Sequence, residues 1–152
     1  MCRFLHVIED RLAPAKRFAE HILSPLTFLL MRLVVAKAFF ISGWLKFGYV
    51  LNNQLDTLYF LFEDYKVPLL PVKVAAWMGM VGELGLSTLL ALGLCTRFGA
   101  LGLIFMSAII FNTDGNPLAA YWALICAAIA VHGAGKYSLD TLIWKHKITE
   151  SI

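Results

Sequence analysis

With 152 residues, 60% hydrophobic and only 15% charged, and a mean hydropathy of +0.75, the chain falls outside the range of soluble domains, which carry about 25% charged residues. The length suits one compact unit of three or four spanning helices and leaves no room for a second domain. The net charge of +3 comes from basic residues at the ends of apolar runs, not from a clustered stripe, which argues against nucleic-acid binding.

Residues 1–25 read as an amphipathic N-terminal segment. Phe4, Leu5, Ile8 and Leu12 recur at helical spacing opposite Arg3, Glu9 and Arg11, and Pro14 interrupts the pattern. No uninterrupted apolar region marks a cleavable leader there. A first span is predicted over about 26–45. It contains Arg32 and Lys37, but Arg32, Ala36, Phe39, Gly43 and Lys46 share one helical face, with cations at its ends and small residues between. That face is expected to point into a bundle. Lys37 lies well round the helix from it.

The loop that follows holds Leu55, Leu58, Tyr59 and Phe62 at i, i+3, i+4, i+7. This predicts a short interfacial helix over 54–65, with Asn53 as N-cap, and its aromatic residues suit a membrane boundary. A second span is predicted over 74–94, VAAWMGMVGELGLSTLLALGL, with Glu83 as its single charge. A carboxylate at that depth costs roughly 2.5–3.5 kcal/mol on insertion scales and is normally held by a partner or a polar cavity. Gly79 and Gly82 flank it on nearly the same side and would let a helix or flat ligand approach closely.

Two shorter spans follow, about 98–112 and 118–132, separated by the turn-rich stretch Asn112–Pro117. Both fall below the ~20 residues of a typical spanning helix. Gly133 and Gly135 are expected to end the fourth helix. Ser138 reads as the N-cap of a C-terminal interfacial helix near Asp140, and 146–152 form a tail. The fold expected is all-α, an integral membrane four-helix bundle in up-down order with short interfacial helices. Arg3, Arg11, Lys16, Arg17, Arg97, Lys136, Lys145 and Lys147 lie on one side; Lys46, Lys66 and Lys73 lie on the other. This asymmetry puts both termini in the cytoplasm.

The charged constellation is Arg32, Lys37 and Glu83. Arg32 is the favoured partner of Glu83 by helical face, and Lys37 by depth alone. The constellation reads either as an ion pair that docks the first two helices or as an internal polar site for a quinone head group, a proton or a small anion. Lys46 and the loop 54–65 would shape the mouth of that site. Of the four histidines only His132 is near a span, at its cytoplasmic end, so no haem is expected, and no metal site is read. The three cysteines, Cys2, Cys95 and Cys126, form no C-x-x-C pair. Cys95 and Cys126 read as packing residues.

The ordered set Arg32-x7-Phe40-x2-Gly43-x2-Lys46, LFEDYKVPLLP at 61–71, Glu83, LGLCTRFGALGL at 92–103 and HGAGKYSLD at 132–140 resembles the DoxX family over roughly 26–145. It is most similar to members encoded beside small secreted metal-binding peptides. The resemblance implies a multi-pass protein of the bacterial inner membrane, related to a subunit of a quinone-linked oxidoreductase. It also implies protein partners in a membrane complex; small size and glycine-rich faces add a homo-oligomer as a further expectation. It sets Arg32, Gly43, Lys46, Pro68, Glu83, Gly93, Arg97, Gly135, Ser138 and Asp140 at recurrent positions; Tyr65, Pro68, Arg97, Ser138 and Asp140 are expected at the membrane edge. A histidine that relatives carry near the start of the fourth span is missing from PLAAYW at 117–122. The expected role is an accessory subunit of a redox or metal-stress system. The alternatives are a carrier or export factor for a small peptide or ion, and a scaffold recruiting soluble enzymes.

Overall fold

A helix between other helices and lipid needs apolar residues on nearly every side, and four helices of this chain have them. The computed structural model describes residues 16, 18–65, 67 and 70–143. Within these, a π-helical turn at Ala19–Leu23 continues directly into α1 (Ser24–Leu51). Then follow α2 (Leu55–Tyr65), α3 (Val72–Leu92), α4 (Thr96–Asp114) and α5 (Pro117–His132), and a helical turn at 139–143. No strand occurs among the described residues. The π-turn with α1, α3 and α4 are each long and apolar enough to cross a bilayer, and α5 is a shorter apolar helix. The fold is an all-α membrane helical bundle. Most of the N-terminal segment, Lys66, Pro68 and the 146–152 tail lie outside the described residues.

Helix ends explain where the observed bounds depart from the expected ones. The first helix does not stop near Leu45 but continues to Leu51. Asn53, expected as an N-cap, instead takes a left-handed conformation at φ 55°. It closes α1, with the N–H groups of Asn53 and Gln54 donating to the carbonyls of Val50 and Tyr49. In α4 the turn-forming residues Asn112 and Thr113 stay helical, because their side chains donate back to the carbonyls of Ala108 (2.7 Å) and Ile109 (2.9 Å). The 19 residues of α4 therefore reach about 28 Å at ~1.5 Å per residue. Asn116 caps α5 by accepting from the Leu118 N–H at 3.0 Å, with Pro117 in the first turn.

The helices alternate in direction. α1 packs chiefly on α3 and α4 chiefly on α5, while α3 meets α4 and α5 returns to α1. α2 lies across the end of the bundle where α1 stops and α3 begins. Lipid supplies no hydrophobic drive between helices, so contact depends on close packing at small residues. A Cβ on Gly43 would lie 2.9 Å from Leu84 Cγ and 3.1 Å from Leu84 N; one on Gly102 would lie 2.6 Å from Leu86 Cδ1. Two apolar clusters fill the interior. One joins Val35, Phe39, Leu90, Leu103, Cys126 and Ile129; the other joins Leu58, Phe62, Ala75 and Ala76 beneath α2. Cys126 is a packing residue as expected, but Cys95 is exposed in a left-handed turn at φ 47°. Leu33, Ile41, Trp44, Val81, Leu101 and Leu124 point outward, an apolar exterior that suits acyl chains.

Substituting Gly43 by leucine is expected to force α1 and α3 apart and cost about 1–3 kcal/mol. The same change at Gly48, where a Cβ meets nothing within 4 Å, is expected to be near neutral. Thermal unfolding of the two variants in one detergent checks the contrast.

Candidate functional site

The five residues assigned to one face of α1 all lie inside the bundle: Arg32, Ala36, Phe39, Gly43 and Lys46 are buried. Where that face meets α3 near α2, Lys46 and Glu83 form an ion pair. The ammonium donates to Oε1 at 2.7 Å and Oε2 at 2.6 Å, and to Ser42 Oγ, one turn back, at 2.9 Å. Its three N–H donors are thereby matched. Lys46 is 6% exposed and Glu83 3%. The Phe62 ring, from α2, lies 6.0 Å from the ammonium. Two charges removed from water cost several kcal/mol each unless geometry and further hydrogen bonds compensate, and here they do.

The partner of Glu83 is thus Lys46 and not Arg32. The reason is helix register. Gly43 meets Glu83 and Leu84 across the α1–α3 interface, and Arg32 is eleven residues, three turns, before Gly43. The expected end of the span near Leu45 set Lys46 at the mouth; the longer α1 places it within the helix. Lys37 is exposed on the opposite face of α1, so it does not join the pair.

A cavity of about 460 Å³ adjoins the pair. Its wall is largely apolar, with Phe39, Phe62, Leu86, Met106, Ile109 and Trp122 among the lining residues. Ser42, Lys46 and Glu83 form its polar patch, and Tyr65, Thr113 and Asp114 also line it. Gly79 admits Phe62, whose Cζ would lie 2.6 Å from a Cβ there, and Gly82 admits Met106 Sδ at 3.2 Å. Tyr65 stands edge-on to Phe62, with centroids 5.6 Å apart. Burial, joined by the negative charges of Asp114, Glu83 and Asp64, pushes the Tyr65 phenol above its ordinary value, so it remains a hydrogen-bond donor. Pro68 lies outside the described residues.

Arg32 has a separate task at the other end of the bundle. It is 1% exposed, and its guanidinium donates to four carbonyls: Leu90 and Ala91 at 3.1 Å each, Ala134 at 2.5 Å and Tyr137 at 3.1 Å. A cation there answers the carbonyls of the last turn and the negative pole of the α3 C-terminus. Gly93, at φ 70°, is required twice over, since a Cβ would also strike the Arg32 guanidinium and Ser138. Asp140 lies at the start of its own short helix, 139–143, and also caps α4. Its oxygens accept from the N–H of Cys95 (2.8 Å), the N–H of Thr96 (2.9 Å) and the Thr96 hydroxyl (2.9 Å). Burial alone would raise its carboxyl. The bonds from Thr96 and Cys95, with the charge of Arg32, outweigh that and hold it below the usual carboxylate range. Ser138 Oγ accepts from the Thr141 N–H at 3.2 Å, capping 139–143. Arg97 is exposed near Gly133, where a Cβ would lie 3.5 Å from Arg97 Nε.

The residues singled out in the sequence therefore divide into two sets. Lys46, Glu83, Gly79, Gly82 and Tyr65 surround the cavity; Arg32, Gly93, Ser138 and Asp140 form a latch at the opposite end. Phe62 belongs to the loop 54–65 expected at the mouth; Ser42, Met106 and Trp122 were not anticipated, although Ser42 stands one turn from Lys46 and could have been found by that spacing. Among the described residues no group of three His, Cys, Asp or Glu side chains could hold a metal ion.

A model of the DoxX family matches residues 27–133. No curated protein and no solved structure matches the chain.

Replacing Lys46 with methionine leaves a buried carboxylate unpaired and is expected to cost about 3–5 kcal/mol. The double variant Lys46→Met/Glu83→Met is expected to recover most of that loss, and a double-mutant cycle of melting in detergent measures the coupling.

Proposed function

Because the chain belongs to the DoxX family, we propose that it serves as an accessory membrane subunit of a redox or stress-response system and holds a quinone beside Lys46 and Glu83. The observation that carries this reading is one charged pair, fixed in the wall of a largely apolar cavity of about 460 Å³. Drug-sized ligands occupy pockets of ~300–1,000 Å³ with mostly apolar walls and a few placed polar groups. A quinone ring is planar and apolar apart from two carbonyl acceptors. Lys46 can donate to one of them in place of Ser42. Glu83 keeps lone pairs able to accept from a quinol hydroxyl, and Tyr65 supplies a further donor from α2. The chemistry a quinone brings is reversible two-electron, two-proton transfer. The protein's part is to bind and orient the ring and to keep it from bulk water.

The same reading places the protein in a bacterial inner membrane with the Arg32 latch on the cytoplasmic side. Lys16, Arg97 and Lys136 lie exposed at that end, against Lys73 at the other among the described residues. Protein partners follow from an accessory role.

Two outcomes are expected. Protein extracted with its native lipid should retain quinone in stoichiometric amount by chromatography of the organic extract, and Ile109→Trp, which fills the cavity, should lose it without a lower melting temperature. Equal quinone in both samples would sink the reading. A fluorescent protein that folds only in the cytoplasm should glow when fused after Ile152; a dark fusion beside an active periplasmic phosphatase fusion would reverse the orientation.

A further inference from the structure

Resting on the quinone reading, we propose that the ligand enters the cavity sideways from the bilayer, through a seam between α3 and α4 gated by Met78 and Phe105. The substrate class would then be a tailed molecule dissolved in the membrane, not one delivered from water.

The seam follows from how the two helices pack. Near the α3–α4 turn they are in tight contact. A Cβ on Gly99 would lie 3.4 Å from the Leu86 carbonyl oxygen, and one on Gly102 would overlap Leu86. Toward α2 the α3 surface is reduced to Gly82 and Gly79. The space over Gly82 is taken by Met106 of α4, and that over Gly79 by Phe62 of α2. In this half of the interface the helices are separated by side chains alone, two of them methionines, whose three rotatable bonds make them easily displaced.

Met78 is 60% exposed and Phe105 is 69% exposed, yet both line the cavity. Both belong to helices that cross the membrane. One layer of side chains thus separates the cavity from acyl chains. The pairing of Gly82 with Met106 fixes the level: Phe105 stands opposite Glu83, so the seam opens beside the ion pair. The route from water is less suited to an apolar tail. There α2 covers the cavity, with Phe62 only 7% exposed and seated on Gly79, and Tyr65 and Asp114 line that side. A ligand whose head reaches Lys46 and whose tail trails through the seam never brings the tail into water, a saving of ~0.8 kcal/mol per CH₂.

Trp122 lines the cavity and gives the readout. In a protein carrying Trp44→Phe, Trp77→Phe and Trp144→Phe, Trp122 is the sole tryptophan. In nanodiscs, a decyl-tailed benzoquinone should quench it saturably, whereas Trp44, 57% exposed on the outer surface, kept as sole reporter should show only linear collisional quenching. The rate of onset at Trp122 should rise with the quinone's mole fraction in lipid. It should be several-fold faster in Phe105→Ala and unchanged in Asp114→Ala, on the water-facing side. Acceleration by Asp114→Ala with no effect of Phe105→Ala would overturn lateral entry and leave the quinone site standing. Absence of saturable quenching at Trp122 in every variant would remove both.

Discussion

An ammonium and a carboxylate set apart in hydrocarbon are each too costly to keep, and in this protein they come from different helices. The Lys46–Glu83 pair therefore constrains α1 and α3 together: register, rotation and distance must all be right for either charge to be satisfied. Gly43, one turn away, allows the backbones close enough for the pair to close at 2.6–2.7 Å. Phe62 of α2 lies over the ammonium and against Gly79. The cavity exists because these elements meet around the pair while α4 diverges from α3 on the same side.

The opposite end is held by a different use of a cation. Arg32 meets carbonyl oxygens instead of a carboxylate, and Asp140 meets backbone N–H groups. The α3 C-terminus and the α4 N-terminus are thus each met by a side chain of opposite sign to the local dipole. Arg32 and Lys46 are fourteen residues apart, about 21 Å along α1, so one helical face anchors both ends of the bundle. That leaves the lipid-facing surfaces free of structural charge except for Lys37.

Such a division of labour suits a small ligand-holding subunit. A rigid latch at one end lets the other tolerate a cavity, whose cost is lost packing contacts. The polar groups of the cavity come from α1, α2, α3 and the end of α4, so occupation by a ligand would be felt by most of the bundle. This is what an accessory subunit needs if it is to report or deliver a bound molecule to a partner.

Much of this was legible in the residues. Apolar run lengths determined the all-α membrane bundle, helical spacing determined the buried face of α1, and the single acid in the second span marked the polar site. Gly133, Gly135 and Ser138 declared the chain reversal after α5. What the linear chain could not carry was registry between helices. Whether Glu83 met Arg32, Lys37 or Lys46 depended on where α1 ended, and that was decided by Asn53 adopting a left-handed turn and by the Gly43–Leu84 contact. The reach of Asp140 to the start of α4, and the ring of Phe62 over Gly79, likewise join residues distant in sequence. Composition and periodicity act within one helix; pairing between helices is set by shape at their interfaces, which only the folded bundle decides.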